Sequence, residues 1–369
     1  MHFEDENALK EVSKALTGKS YDSYERLPGG YLHDTLKVTV DNKQYVCQRI
    51  GKVFQDSIDA LIGNYLKIYE HFNGYKNLAV NLAAPLKFFN QEFLFEDSNN
   101  RLWRAFNFID SKEVNDDILL THMTGFAFGS YINCLSHFKG SLQETLPNFH
   151  NLRHRFDDYI LAFNEFKPKL QFDEHKDLLI KANELATKNF SLVNYYEKLR
   201  TKIPLRFVHN DAKAANVLFE KNETKYKAYI IDIDTTFSGY SIVDFGDMFR
   251  SNATLIKEGE IQKRSNVIDK QRFKTLVDGY LKALNNLLVV QEVENLIFGA
   301  AWITFEVALR FLTDHLQGNH YFRVSYNGEN LLRGYSQLII LEELLKEQNF
   351  LNDLIEYKVN EVTNIAPAP

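Results

Sequence analysis

The run RFVHNDAKAANVLF at 206–219, followed by AYIIDID at 228–234, holds the residues best suited to chemistry. His209-Asn210-Asp211 and then Asn216 place a carboxylate and an amide oxygen five positions apart. Phosphoryl transfer asks for such a set. One carboxylate must orient and deprotonate an attacking hydroxyl, and oxygen ligands must hold magnesium against nucleotide phosphates.

Two short apolar runs must position these groups: VLF at 217–219 and AYIIDID at 228–234, joined by the polar turn Lys221–Thr224. If 217–220 pairs with 226–230, the return strand brings Asp232 opposite the loop that holds Asp211 and Asn216. Strand side chains alternate, so Asp232 and Asp234 are expected on one face. Three carboxylates and an amide would then converge on a divalent metal. The order H-x-D-x-x-x-x-N, strand, turn, I-D-x-D is that of a kinase centre. The alternative is a polar loop with a surface hairpin, but apolar strands that end in paired Asp carry a cost that a ligand would offset. His209 reads as a hydrogen-bonded scaffold. Asp244-Phe245-Gly246 spells a magnesium motif, yet the hairpin returns Asp232, so Asp244 and Asp247 are expected to anchor the loop or bind Arg250. Gly18-Lys19-Ser20 resembles the end of a P-loop, but Ser13 stands where its first glycine belongs and a helical pattern precedes it.

The remaining chain supplies a scaffold. Its 369 residues, 45% hydrophobic and 25% charged, suit a globular chain with a substantial core. A net charge of −6 argues against non-specific nucleic-acid binding. Cys47 and Cys134 stand apart without a partner motif, which argues against disulfides and cysteine-based zinc. The acidic start lacks a signal peptide, and no stretch reads as the roughly 20 apolar residues of a membrane span. A cytoplasmic monomer with no nucleic-acid or membrane partner is expected.

Residues 36–40, 44–50, 86–95 and 102–109 read as strands, and 57–72 as a helix with Leu61 and Tyr65 on its buried face. Helices are expected at 119–138, 151–166, 173–200, 269–291, 292–316 and 329–348. The fold class is therefore α+β, with a β-rich N-terminal lobe at 1–110, a mainly helical lobe at 111–360, and a loose tail at 361–369.

Several segments together resemble the aminoglycoside phosphotransferase and choline kinase superfamily, and within it the N-acetylhexosamine 1-kinases. They are LPGGYLHDT (27–35), YVCQRI (45–50), RAFNFID (104–110), NFHNLRHRF (148–156), the 206–219 loop, IIDIDT (230–235), VDFGDMFR (243–250) and RFLTDHLQGNHYF (310–322). The resemblance implies a two-lobed protein-kinase-like fold and the cofactors ATP and magnesium. It implies Asp211 as base, Asn216 and Asp232 as metal ligands, and Arg310 and Tyr321 as sugar contacts. The segment Phe106 to Ile109, with Phe108, would lie beside adenine. The implied reaction is phosphorylation of the anomeric hydroxyl of GlcNAc or GalNAc. Kinases of choline, ethanolamine, homoserine, another sugar or an aminoglycoside are the alternatives, along with a nucleotide-binding pseudokinase. This chain departs from the pattern at Ala212, Ala214, Ala215, His315 and Asn319. Gln48 replaces the usual strand lysine, as glutamine also does in the hexosamine kinases.

Other residues have two readings each. Gly29-Gly30 is a phosphate loop or a plain turn. His33 reaches a phosphate or sugar, or lies in a surface loop. Glu306, Arg310 and Asp314 form an ion-pair ladder, or Arg310 meets a sugar while Glu306 or Asp314 fixes it. Tyr321 is a core residue or a sugar platform. His150 and His154 are a possible helical metal pair, with a capping or interlobe role as the plainer reading.

Overall fold

The computed structural model describes residues 3–27, 32–76, 78–222, 225–261 and 266–365. The chain begins with α1 (Phe3–Thr17), β1 (Ser23–Arg26), β2 (Asp34–Val40), β3 (Lys43–Arg49) and α2 (Ile58–Asn73). Short strands β4 (Val80–Leu82), β5 (Pro85–Leu86) and β6 (Phe95–Glu96) lead to β7 (Leu102–Asn107). Then come α3 (Asp117–Leu135), α4 (Leu152–Phe166), α5 (Lys176–Lys188), α6 (Phe190–Leu199) and β8 (Arg206–Val208). Next are β9 (Val217–Asn222), β10 (Lys225–Ile230), β11 (Phe237–Gly239) and α7 (Ser241–Asn252). The last helices are α8 (Lys270–Leu284), α9 (Val290–Glu294), α10 (Leu296–Gln317) and α11 (Glu329–Ile365).

Two compact units result. One comprises Met1–Glu113, Lys139–Leu146 and Leu218–Asp234, and the other Val114–Phe138, Pro147–Val217 and Thr235–Pro369. In the first, an antiparallel sheet runs β1-β2-β3-β7-β5, with β6 on β7. Alternation along β2 buries Leu36, Val38 and Val40, and Ala8, Leu9 and Val12 of α1 join that core with Cys47 and Trp103. On α2, Leu61, Tyr65, Ile68 and Phe72 form the buried stripe.

A cut at residue 110 therefore needs correcting. β10 pairs in parallel with β4 and alongside β9, so backbone hydrogen bonding draws the β9–β10 pair into the sheet unit despite its late place in the chain. The span 86–95 is not one strand. Gln91 takes φ 67° in a turn, with Gln91 N donating to Phe88 O, leaving β5 and β6 as two short pieces. The tail expected from 361 is helical over 361–365, because α11 continues to Ile365 and buries Leu351 and Ile355 on its way, while 366–369 lie outside the described residues.

The helical unit is built around α10, which α4, α7 and α11 pack against. By length and composition this 22-residue helix could cross a membrane, contrary to the sequence reading, but 78% of its most apolar window is buried in the protein. It crosses α7 at backbone contact. A Cβ at Gly299 would stand 2.1 Å from the Ile242 carbonyl oxygen, and one at Gly246 2.5 Å from that of Gly299. Only glycine permits that approach.

Candidate active site

β8 ends at Val208, where it pairs with Phe237 of β11, and the chain turns into the loop that carries Asp211. α7 fixes this loop from beneath. Asp244 accepts from His209 N and Asn210 N, at 2.8 Å each, and Ser251 Oγ accepts from Ala214 N at 3.0 Å. Burial pushes the Asp244 carboxyl up to about 6, against the opposing pull of His209 and the two N–H donors. Asp244 is thus a loop anchor, while Arg250 bonds Asp247 at 2.7 Å. His209 is buried against the edges of Phe128 and Tyr131, and its Nδ1 accepts from Asp211 N at 3.2 Å. It is a scaffold. Asn210 takes φ 61°, and its amide donates to Thr235 O at 2.8 Å.

Lys213 Nζ donates to Asp211 Oδ2 at 2.7 Å. Asn216 Nδ2 donates to the same oxygen and to the Asp211 carbonyl, at 2.8 Å each. Burial would raise the Asp211 carboxyl, but Lys213, His209 and Asn216 hold it below the ordinary carboxylate range. It is ionised at neutral pH, as a proton acceptor must be. Lys213 is not marked by the H-x-D-x-x-x-x-N spacing. Its signal was an ammonium two positions after the key aspartate.

In the sheet unit, β10 ends at Ile230, and Asp232 follows with φ 58°. A tight helical turn covers Ile233–Thr235, so strand alternation does not continue. Carboxylate oxygens of Asp232 and Asp234 still come within 4.8 Å of one another, as expected, but across this turn and not along a strand, and Asp234 is buried on Arg104. The guanidinium grips it with both arms, Nη1 to Oδ1 at 2.6 Å and Nη2 to Oδ2 at 2.5 Å. His33 Nδ1 accepts from Gly51 N at 3.0 Å, so its Nε2 carries the proton and donates to Asp234 at 2.8 Å. Burial would raise the Asp234 carboxyl, yet Arg104 and His33 hold it far below the ordinary range. His33 is no surface residue, since its ring stacks on Phe54 with centroids 5.0 Å apart.

Ligand-type atoms of His33, Asp232 and Asp234 lie within 4.8 Å of one another. His33 presents a donor there, and Asp234 carries a guanidinium. Gln48 accepts from Arg104 Nε at 2.8 Å and donates to Thr35 Oγ1 at 3.0 Å. It braces Arg104. Phe106 is buried, its ring 5.1 Å from that of Tyr65, while Phe108 and Ile109 follow the end of β7, Lys37 lying over the Phe108 ring at 4.6 Å. Gly29 and Gly30 lie outside the described residues.

Arg310, on α10, stacks over Phe149 and Tyr321 at 5.1 and 5.3 Å, and its Nη2 donates to Tyr321 Oη at 3.0 Å. Neither Glu306 nor Asp314 fixes it. Glu306 is fully buried on His150 and Trp302. Asp314 accepts from the backbone N–H groups of His320, Tyr321 and Phe322 at 2.7–2.9 Å, which shapes the loop after the left-handed Gly318. His150 and His154 are not a helical pair. Asn151 caps α4 by accepting from His154 N, which leaves His150 ahead of the helix.

A sequence model of the phosphotransferase enzyme family matches residues 23–265. Among similar solved structures is a spectinomycin phosphotransferase in complex with ADP and spectinomycin, 13% identical, with TM-score 0.58 over 95% of this chain and 97% of that one. An ethanolamine kinase from Plasmodium vivax is 16% identical, with TM-score 0.55 over 90% and 87% of the two chains. A choline kinase from Cryptosporidium parvum is 14% identical, with TM-score 0.54 over 95% and 98%. At such identity the likeness is one of fold, the mixed α+β protein-kinase-like fold. The family match, joined to an ionised Asp211 braced by Asn216 and Lys213, places the chain in the phosphotransferase enzyme family.

Proposed function

We propose that this member of the family is an ATP-dependent small-molecule kinase whose acceptor is the anomeric hydroxyl of an N-acetylhexosamine, GlcNAc or GalNAc. Asp211 orients that hydroxyl and takes its proton. An anomeric hydroxyl is more acidic than an ordinary alcohol, so a carboxylate held at low pKa suffices. Asn216 and Asp232 offer the hard oxygen donors that magnesium prefers and would hold it, its chemistry when bound being to screen charge on the β- and γ-phosphate oxygens. Gly29, Gly30, Gln48, Phe106, Phe108 and Ile109 are proposed for the nucleotide. Gln48 would act through its brace on Arg104, and Phe106 through its backbone.

The observation that carries the acceptor class is the Phe149–Arg310–Tyr321 stack with its hydroxyl–guanidinium bond. It offers guanidinium and hydroxyl groups beside the exposed Tyr321 for a neutral polyol, while Phe149 is buried beneath Arg310. The nearby carboxylates of Glu306 and Asp314 are already bonded to the protein, whereas a cationic acceptor would call for a carboxylate or an aromatic cage. The second reading is a kinase for another small alcohol, favoured by fold relatives that are choline, ethanolamine and spectinomycin kinases.

An ATP-consumption screen over free hexosamines, simple sugars, choline, ethanolamine and aminoglycosides, with NMR of the product, tests both readings. Sugar 1-phosphate from GlcNAc or GalNAc is expected. Turnover with choline or an aminoglycoside alone would overturn the acceptor assignment. Asp211→Asn should fold normally and lose on the order of 10²–10⁴ in kcat. Near-wild-type turnover by that variant would remove Asp211 as base.

A further inference from the structure

His150 connects the catalytic loop to α10. Its Nε2 meets the Asn210 carbonyl oxygen at 2.6 Å, and its Nδ1 meets Glu306 Oε1 at 2.9 Å. A carbonyl oxygen can only accept, so Nε2 carries a proton. The other Glu306 oxygen accepts from Trp302 Nε1 at 3.1 Å. Two acceptors thus face the two ring nitrogens, an arrangement that suits an imidazolium. Burial opposes the charge, but Glu306 and the Asn210 carbonyl outweigh it, so His150 holds its proton above the ordinary 6.5. The other charged groups that act on it are Arg310 of α10, which disfavours the proton, and Asp244 of α7.

The peptide that His150 grips leads directly into Asp211. Asn210 is held there in the left-handed region, its N–H on Asp244, its side-chain amide on Thr235 and its carbonyl on His150. The next residue back, Phe149, carries the stacked Arg310. We propose that the His150 imidazolium, clamped by Glu306, is a positioning residue for the transfer: it holds the Asn210 carbonyl and so aims Asp211 while Phe149 supports the acceptor-binding arginine. This rests on the reading of Asp211 as base. A neutral imidazole has one N–H for two acceptors, so one of them would then face a lone pair. Deprotonation therefore loosens the clamp, and the charged clamp is lost as pH rises through the folded-state pKa of His150.

The test uses the full chain with labelled histidine, followed by NMR from pH 5 to 10 in wild type and Glu306→Gln. kcat–pH profiles of wild type, Glu306→Gln and His150→Gln accompany it, with the acceptor that the screen finds. The His150 resonance is expected to titrate above the free-histidine value of about 6.5, and Glu306→Gln to lower that midpoint by roughly one pH unit, a tenfold loss of proton affinity. Wild-type kcat should fall with the same alkaline midpoint. His150→Gln should lose that limb, with kcat lowered by up to about 10²-fold and KM for ATP unchanged. The proposal is overturned if Glu306→Gln leaves the midpoint unmoved, or if His150→Gln keeps both wild-type kcat and the alkaline limb. If His150→Gln does not fold, the wild-type and Glu306→Gln titrations decide. Activity retained by Asp211→Asn alongside the expected titrations would remove the base assignment and leave the imidazolium–Glu306 clamp standing.

Discussion

Asn216 donates from one nitrogen to two oxygens of Asp211, the backbone carbonyl and Oδ2, at 2.8 Å each. Both partners only accept, so the amide orientation is fixed by its bonds, and Oδ1 is the amide atom left to meet a cation. One side chain therefore braces the proposed base and serves as a proposed metal ligand. Asn216→Ala removes both services. It should lower kcat and raise the magnesium concentration for half-maximal activity, each on the order of 10–100-fold. A magnesium titration of ATP consumption measures this. An unchanged magnesium requirement would remove Asn216 from the ligand set.

Arg104 and Asp234 form a buried, two-armed ion pair in the sheet unit, with His33 and Gln48 as further partners. Arg104→Met leaves a buried carboxylate without its cation and should cost about 3–5 kcal/mol. The sign of the pH effect follows from the depressed Asp234 carboxyl. Its contribution is fully present above the ordinary value of 3.8 and is lost as pH falls through that value toward the folded-state pKa. Urea unfolding at neutral pH and near pH 3 should show a steep acid loss in wild type and a shallower one in Arg104→Met. Equal slopes would show that the pair does not govern acid stability.

Asp244 anchors two consecutive backbone N–H groups at the entrance to the loop that carries Asp211. Asp244→Ala strands both donors in the interior, at about 1–3 kcal/mol each. Asp244→Asn keeps one accepting oxygen and should fall between wild type and Asp244→Ala. Thermal unfolding read beside kcat checks the order. If Asp244→Ala lowered kcat without touching stability, a role beyond anchoring would be required.

The local signals were strong wherever one element supplied its own context. The strand alternation of Leu36, Val38 and Val40, and the stripe through Leu61 and Tyr65, follow from side-chain period alone. The H-x-D-x-x-x-x-N run likewise marked Asp211 and Asn216, because loop chemistry at that spacing is short-range. Pairings across the chain were not legible. Nothing near Asp234 in sequence announces Arg104, 130 positions earlier, and nothing near Asn210 announces His150. Asp232 and Asp234 do come together, but by a tight turn after β10 ends at Ile230 and not by strand alternation.

The sequence by itself determined the reaction class, since a carboxylate, an amide and a returning Asp can be read from residue type and spacing. It also determined the mixed α+β architecture through its two hydrophobic periods. Only the tertiary structure decided which aspartates are available for chemistry. Asp234 and Asp244 carry the same side chain as Asp211, but one is neutralised by a guanidinium and the other is committed to backbone N–H groups. The physical reason is that a carboxylate's role depends on the donors around it, and those donors arrive from distant parts of the chain by folding.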